Sequence, residues 1–288
     1  MEILPMEAGH VDASAETLEA ALGALIAEMA LPPQRFDAVT AAATARRIAH
    51  LRSTDPDGSW VAVDQGEVIG LAQSIRRDAC WVLVHLFIRP GSQSRGVGGA
   101  LLARARAYAA DAPVGLIGAT PDPRAIRTYA HMDGFRVVPT LAAFGVVRPD
   151  GLDARRASGV RDGTTADLEL AADLDRRRRG GAHGPDLAFL LTQGWSLRVV
   201  PGRGYAASGP NLALLATEDE EAAESLLVDA LLRVAGTAPV QLPRMTAEQH
   251  WAHGIVLDAG LSLRPWGPLV VRGLDAAPAP YLPHPSMC

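Results

Sequence analysis

Hydrophobic positions in the first half of the chain alternate between a helical period and a strand period. Near the N-terminus, apolar side chains recur every three or four residues, as one face of an amphipathic helix requires. Further along, alternate positions are apolar on both sides of the turn "DQGE", which predicts a β-hairpin. The elements predicted up to residue 88 are a strand at 1–6, helices at 14–30 and 37–53, a hairpin at 59–77 and a nearly continuous apolar strand at 80–88.

The rest of the first half continues the alternation of helix and strand. Asp122 is a plausible helix N-cap, and Pro123 suits the first helical position that follows it. The predicted elements are a helix at 99–110, a strand at 114–120, a short helix at 122–132 and two closing strands within 135–149.

The second half repeats this order of elements. Its predicted elements are helices at 164–179 and 184–193, strands at 195–200, 203–208 and 211–216, a helix at 219–234, a strand at 238–242, a helix at 246–258, and strands at 261–265 and 268–272. We therefore predict an α/β protein with a mixed sheet, built from two copies of one unit. The predicted boundaries are 1–149, a linker at 150–159, and 160–288 with a Pro-rich tail lying irregularly on the surface.

Composition narrows the class of protein. The chain has 288 residues, 48% hydrophobic and 20% charged, which is typical of globular domains. No apolar run reaches the length of a membrane span, and the net charge of −5 argues against nucleic acid as a partner. Cys80 and Cys288 form no disulfide framework, so we expect a cytoplasmic protein.

A glycine-rich stretch, "QSRGVGGALL" (93–102), stands where an apolar helix begins. The first turn of a helix leaves backbone N–H groups without partners and carries partial positive charge. Glycines leave that backbone uncovered, so a phosphate can approach it closely. The stretch predicts either an anion cradle or merely a tight turn between a strand and a helix.

Two familiar phosphate loops do not fit this stretch. A Walker loop needs a lysine after its second glycine, and the chain contains no lysine. A dinucleotide loop needs G-x-G-x-x-G directly after its strand, whereas Leu101 stands where the third glycine belongs.

The stretch "IRPGSQSRGVGGALL" (88–102) resembles the acetyl-CoA signature of the GNAT superfamily of N-acetyltransferases. The family pattern Val/Ile-x-Pro-x-x-Gln/Arg-x-x-Gly-x-Gly/Ala is matched without a gap at Ile88, Pro90, Gln93, Gly96 and Gly98. The preceding elements agree with the family as well, and the resemblance covers residues 1 to about 148.

This resemblance implies a set of coenzyme A contacts. The backbone N–H groups of residues 94–99 would bind the pyrophosphate, and the backbone of the strand end would hydrogen-bond the pantetheine arm. The residues assigned to cofactor binding in this way are Phe87, Ile88, Gln93, Ser94, Arg95, Gly96, Val97, Gly98, Gly99 and Asp122.

The resemblance also assigns the general acid. The family pattern Asn-x-x-Ala-x-x-x-Tyr is matched at Ala125 and Tyr129, with Asp122 in place of the Asn. Tyr129 would protonate the leaving thiolate. Four residues, rather than the family's usual three, separate Tyr129 from the following Gly-Phe pair, so an aromatic packing role is the alternative.

The sequence leaves the identity of the general base open. His85 is the only titratable group within "WVLVHLFI", and a histidine suits proton transfer near neutral pH. A satisfied core histidine is the alternative interpretation. His131 and a chain of water molecules are rivals, and many members of the family need no dedicated base.

The second copy is predicted to be degenerate and catalytically silent. "ATEDEEAAESLL" (216–227) stands where its phosphate loop should be, with five acids and no glycine, and neither Ile255 nor Val256 can replace the tyrosine. "DRRRR" (175–179) is interpreted as a solvated helix end, with an anion contact as the alternative. The histidines of "HWAH" (250–253) have no evident third ligand, so no metal is expected.

Together these patterns predict a transferase: an acetyl-CoA-dependent N-acetyltransferase that acetylates a primary amine of a small molecule by direct attack in a ternary complex. The alternatives are a non-catalytic acyl-CoA-binding sensor or interaction module, and a nicotinamide dinucleotide enzyme. We expect acetyl-CoA and a small amine as partners, no nucleic acid or membrane, and a monomer or homodimer. Acids that could attract a cationic acceptor are Glu16, Glu19, Glu28, Asp37, Asp64 and Glu67.

Overall fold

The computed structural model describes residues 1–31, 37–209 and 214–284. In the first half the elements follow the predicted order. They are β1 (Glu2–Pro5), α1 (Val11–Glu28), α2 (Ala38–Thr54), β2 (Ser59–Asp64), β3 (Glu67–Arg77), β4 (Cys80–Ile88), α3 (Val97–Ala107), β5 (Val114–Gly118), α4 (Pro123–Ala130) and β6 (Arg136–Gly145).

The second half repeats this order, which confirms the predicted duplication of elements. Its elements are β7 (Arg161–Asp162), α5 (Leu168–Arg179), α6 (Pro185–Thr192), β8 (Ser196–Val200), β9 (Gly204–Ser208), β10 (Leu214–Thr217), α7 (Glu220–Arg233), β11 (Val240–Met245), α8 (His250–Asp258), β12 (Ser262–Arg272) and β13 (Tyr281–Leu282). Residues 211–213 of the predicted strand 211–216 lie outside the described residues, as does Cys288.

The chain forms two compact units. The first contains residues 1–76 and 81–112, and the second contains residues 77–80 and 113–284. The predicted domain boundaries at 149 and 160 follow the repeat rather than these units, and they stay a prediction.

The first unit is a meander with the strand order β1-β2-β3-β4. β1 pairs antiparallel with β2, and β2 pairs antiparallel with β3. Helices α1 and α2 bury their apolar faces together with β2 and β3, in a cluster that includes Leu18, Ile48, Val61 and Leu71. This packing supports the strand that ends at the glycine-rich stretch.

The second unit contains two groups of strands, ordered β5-β12-β6-β11 and β13-β10-β9-β8-β7. In the first group, β12 of the second copy lies antiparallel between β5 and β6 of the first copy. β6 in turn pairs antiparallel with β11 of the second copy. The two copies therefore interleave their last strands instead of each completing its own sheet.

This exchange corrects the prediction that each copy ends in two short strands. Residues 136–145 and 262–272 each form one continuous strand, and the pairing shifts register between Trp266 and Leu269. Pro139 lies opposite this shift. A proline has no N–H to donate to a neighbouring strand, so an irregular position in the pairing accommodates it. Gly267 is needed there, since a Cβ would stand 2.3 Å from the carbonyl oxygen of Ala119.

Two surface predictions are also wrong. The tail does not lie irregularly throughout, because Tyr281 and Leu282 are buried and pair with β10 as β13. The "DRRRR" segment is not simply a solvated helix end, since Asp175 and Arg179 are fully buried. Asp175 accepts hydrogen bonds from the Tyr205 hydroxyl at 2.6 Å and from the backbone N–H of His183 at 3.0 Å.

Candidate active site

The glycine-rich stretch forms the N-terminus of α3, as predicted. Gly96 is the N-cap residue, has a left-handed conformation (φ 81°) and offers no side chain to cap the helix. Ser94 is also left-handed, with φ 61°, which is uncommon for a residue other than glycine. Left-handed residues at 94 and 96 that alternate with residues of negative φ turn successive N–H groups toward one side, the geometry of an anion-binding nest.

The backbone N–H groups of residues 94–99 make no hydrogen bond within the described part of the chain. The first helical bond of this region runs from the N–H of Ala100 to the carbonyl of Gly96, at 3.1 Å. The N–H donors at the positive end of this 11-residue helix therefore lack intrahelical partners, as an anion-binding helix end requires.

Two of the glycines are not needed by the protein's own structure. A Cβ at Gly98 would stand 3.8 Å from Cγ1 of Ile88, an ordinary contact, and a Cβ at Gly99 would meet nothing within 4 Å. Neither residue has a positive φ. A tight turn explains Gly96 but not these two glycines, which leave the backbone at the helix end uncovered.

The remaining residues of the predicted cofactor set in the first unit lie around this helix end. Phe87 and Ile88 are the last residues of β4. Gln93 reaches back to them, donating its side-chain amide to the carbonyl of Ile88 at 3.3 Å. Arg95 is 61% exposed and lies 3.9 Å from Asp64, so its guanidinium can turn to a bound anion at little cost.

His85, on the same strand, is held by a buried glutamine. The Gln73 amide nitrogen donates to the carbonyl of Ile48 at 3.0 Å and to Ser59 Oγ at 3.2 Å. These bonds orient the amide so that its Oε1 faces His85 Nδ1 at 2.9 Å. Because an amide oxygen only accepts, Nδ1 of neutral His85 must carry the proton, and Nε2 must hold a free lone pair.

The Nε2 atom of His85 has no hydrogen-bond partner among the described residues. It is buried, and the residue as a whole is only 3% exposed. Burial lowers the pKa of His85 well below 6.5, and the charge of Arg47 lowers it further. His85 is therefore a neutral imidazole whose Nε2 lone pair is buried and has no partner among the described residues. The Nδ1 atom has a partner and the Nε2 atom has none among the described residues, so the catalytic and the core interpretations both stay predictions.

Tyr129 and Asp122 lie on α4, in the second unit. Asp122 caps the helix by accepting from the N–H of Arg124 at 2.8 Å, which confirms the predicted N-cap. Tyr129 is 4% exposed, and burial together with the Asp122 carboxylate raises its pKa above the usual value. Its Oη has no hydrogen bond to a described residue, and the raised pKa keeps the hydroxyl protonated.

The corresponding helix of the second copy, α7, has a closed N-terminus. Asp219 caps it by accepting from the N–H of Ala222 at 2.9 Å. Arg203 in turn holds both oxygens of Asp219, at 2.9 and 2.6 Å. A carboxylate thus occupies the position at which α3 leaves its donors free, and an anionic ligand would be repelled there.

Other candidate residues contribute no recognisable site. His131 is exposed, and its Nδ1 bonds the carbonyl of Arg127 at 2.7 Å. Within the described ranges, no three His, Cys, Asp or Glu side chains are placed to hold a metal ion. Within the same ranges, the helices are too short or too polar to cross a bilayer.

The chain was compared with models of protein families and with curated protein sequences. Residues 26–135 match the model of the acetyltransferase (GNAT) family. No curated protein sequence matches the chain.

Three solved structures share the fold over nearly the whole chain. A protein of Pyrococcus horikoshii that is described as an acetyltransferase is 12% identical, with a TM-score of 0.79 over 100% of this chain and 95% of the other. A GCN5-related N-acetyltransferase of Sphaerobacter thermophilus is 15% identical, with a TM-score of 0.59 over 96% and 97% of the two chains. A tandem GNAT protein from the clavulanic acid biosynthesis pathway is 15% identical, with a TM-score of 0.59 over 96% and 99%.

Residues 26–135 thus resemble an acetyltransferase domain of the GNAT family, and the chain shares its fold with structures of GNAT acetyltransferases. The chain as a whole has the tandem architecture of GNAT proteins, as its repeated elements predicted. The predicted α/β fold class with two GNAT-like halves is confirmed.

Two residues of the site were missed by the sequence patterns. Gln73 is a polar residue at an inward position of the otherwise apolar run "VIGLAQSI", and that signal could have identified it. Arg47 gave no such signal, since an arginine in the run "ARRIAHLRS" is typical of a solvated helix face. The structure instead buries its Nε without a partner among the described residues.

Proposed function

We propose that the chain is an acetyl-CoA-dependent N-acetyltransferase whose acceptor is a primary amine of a small molecule. The nest of free N–H groups at residues 94–99 carries this proposal, because its two unexplained glycines and its six unused donors suit a pyrophosphate. The match of residues 26–135 to the acetyltransferase (GNAT) family supports acetyl-CoA as the acyl donor.

Acetyl-CoA would be held as a co-substrate by the first copy. It supplies a thioester, which is already activated toward amines. The nest and Arg95 would bind the pyrophosphate, and the backbone of Phe87 and Ile88 would pair with the pantetheine arm. Gln93 stiffens the strand end through its bond to the Ile88 carbonyl, and Asp122 orders the start of α4.

His85 would act as the general base. In direct attack, the amine nitrogen bonds to the acetyl carbon, the carbon–sulfur bond breaks, the nitrogen loses one proton and the sulfur gains one. The free lone pair on Nε2 is the acceptor for the first proton, while Gln73 keeps the imidazole in the productive tautomer. A buried, neutral imidazole is ready for this role without prior deprotonation.

Tyr129 would act as the general acid. Its raised pKa keeps the hydroxyl protonated, and its Oη makes no hydrogen bond to a described residue. By its resemblance to the tyrosine of the family pattern, it would deliver the second proton to the departing thiolate. Holding both reactants in one site supplies much of the rate, since no covalent intermediate on the protein is needed.

The second copy would serve as a scaffold. Its α7 terminus is closed by Asp219, and buried Ile255 and Val256 stand where a tyrosine would be required on α8. Its strands β11 and β12 flank β6 of the first copy, so its contribution is structural.

Thiol release from acetyl-CoA with a panel of small amines tests the proposal. We expect turnover with at least one amine and a large loss in His85→Ala, which removes the proposed base. His131→Ala removes an exposed histidine and is the matched control. If coenzyme A binds but no amine on the panel releases thiol, the alternative of a non-catalytic acyl-CoA sensor is favoured instead.

A further inference from the structure

Arg244 of the second copy lies at a bulge in β11. Leu242 pairs with Ala143 of β6, and Met245 pairs with Leu141. β11 therefore advances three residues where β6 advances two, and such an extra residue bends a strand and can redirect a side chain. Within the bulge, Arg244 has a left-handed backbone with φ 62°, which is uncommon for a residue other than glycine.

The side chain of Arg244 holds the end of β5. The residue is 6% exposed, and its Nη2 donates to the carbonyl of Gly118 at 2.8 Å. β5 and β11 are not neighbours, since β12 and β6 lie between them in the sheet. The contact is therefore not a by-product of strand pairing. A glycine would adopt the left-handed conformation at less cost, so the reason for an arginine here lies in its side chain.

β12 of the second copy holds the segment that follows β5. The N–H of Ala119 donates to the carbonyl of Pro268 at 3.0 Å. Gly267 lies directly against the same segment, since a Cβ there would stand 2.3 Å from the Ala119 oxygen and 2.7 Å from the Pro121 nitrogen. Residues of β11 and β12 thus fix the connection 118–121 between β5 and α4.

This connection leads directly into the helix of the proposed general acid. Asp122 caps α4, and Tyr129 lies on the last turn of this eight-residue helix. α4 also packs against β6 and β12. Because a helix is held together by its own backbone hydrogen bonds, a shift at its first residue would move the Tyr129 hydroxyl as well. A displacement of about 1 Å at a reacting group can lower the rate about 100-fold.

We infer that Arg244 is a positioning residue for acetyl transfer: through the Gly118 carbonyl it holds the start of α4, and thereby the place of Tyr129. The second copy then contributes to the reaction as well as to packing. This inference rests on the proposed function, and it assigns one residue of the second copy to the general-acid step.

Steady-state kinetics of Arg244→Met in the full chain test the inference. We expect kcat to fall about 10- to 100-fold, while KM for acetyl-CoA and the affinity for coenzyme A stay unchanged. Arg244→Gly should lose as much kcat, although it relaxes the left-handed backbone. Arg264→Met removes an exposed arginine of β12 and is the matched control, which should keep wild-type kinetics. Wild-type kcat in Arg244→Met or Arg244→Gly would overturn the inference.

A double variant separates positioning from a general loss of structure. If Arg244 acts through Tyr129, Arg244→Met should lower kcat no further once Tyr129→Phe has removed the hydroxyl. A general loss of structure would instead multiply the two effects. Losses that multiply in the double variant would therefore overturn the inference.

Hydrogen exchange keeps this test decisive if no amine turns over. In Arg244→Met, the backbone amides of residues 119–130 should exchange faster than in the wild type, whereas those of α3 should be unchanged. Equal exchange of residues 119–130 in the two proteins would overturn the inference. A wild type that fails to bind coenzyme A would instead contradict the proposed function.

Discussion

Adjacent arginines at the end of β3 provide a natural comparison of a buried and an exposed ion pair. Arg76 bonds both oxygens of Asp111, at 2.8 and 3.0 Å, and the side chain of Asp111 is 73% exposed. Arg77 bonds both oxygens of Asp186, at 2.8 and 2.9 Å, and the side chain of Asp186 is fully buried. The two pairs share their geometry and differ in burial, so their truncation should have very different effects.

Arg77→Ala should destabilise the protein strongly. It leaves the Asp186 carboxylate in a site that water does not reach, and removal of one partner from a buried pair costs about 3–5 kcal/mol. At about 2–4 °C per kcal/mol, the expected loss in Tm is about 6–20 °C. Arg76→Ala should produce no resolvable change, because solvent screens an exposed pair.

Scanning calorimetry of the two variants measures this difference. The double variant Arg77→Ala/Asp186→Asn should recover part of the lost Tm, since no unpaired charge then remains buried. Equal Tm values for Arg76→Ala and Arg77→Ala would refute the reasoning that burial sets the contribution of these pairs. A double variant no more stable than Arg77→Ala would show that the stranded carboxylate is not the cause.

Three further outcomes are expected. Tyr129→Phe should lower kcat about 100- to 10,000-fold with little change in acetyl-CoA affinity, and near wild-type turnover would make Tyr129 a packing residue. A chain ending near residue 150 loses β11 and β12, the two neighbours of β6, and should be inactive or aggregate; a soluble, monomeric and fully active fragment would contradict the scaffold role. His85 is neutral when folded but takes up a proton near pH 6.5 when unfolded, so stability should fall as the pH drops below about 6.5. The loss is about 1.4 kcal/mol between pH 7.5 and 5.5, and urea titrations of His85→Asn should lack this contribution.

The glycine-rich helix end could be predicted because its signal is local. The order of glycines, the apolar run that follows and the preceding strand all lie within about 25 residues of one another. The N-cap at Asp122 is equally local and was predicted with its proline. Such features depend on the backbone conformation and capping of a few neighbouring residues, and those residues can be identified in the sequence.

The exchange of strands could not be predicted, because a hydrophobic period specifies that a segment is a strand but not its partner. The prediction was two short strands within 135–149, a range that contains Pro139, and two more at 261–265 and 268–272, on either side of Gly267. In the structure these two residues meet at one irregularity, where β6 and β12 shift register. A long-range contact thus converts two apparent breaks into one pairing defect.

The Gln73–His85 arrangement was only half predictable. A histidine in an apolar strand identifies a candidate, yet its tautomer depends on Gln73, and the orientation of Gln73 depends on a carbonyl from α2. These three groups are far apart in sequence. Their chemistry becomes visible only when the strands and the helix pack together.

Titration calorimetry of the full chain with coenzyme A tests the central claim most directly, since the proposal depends on one nest, at residues 94–99. We expect one site per chain, lost in Gly98→Glu, which places a carboxylate among the free donors. Gly159→Glu adds the same charge at an open, exposed glycine and should bind as the wild type does. Two sites per chain, or unchanged binding by Gly98→Glu, would contradict the account.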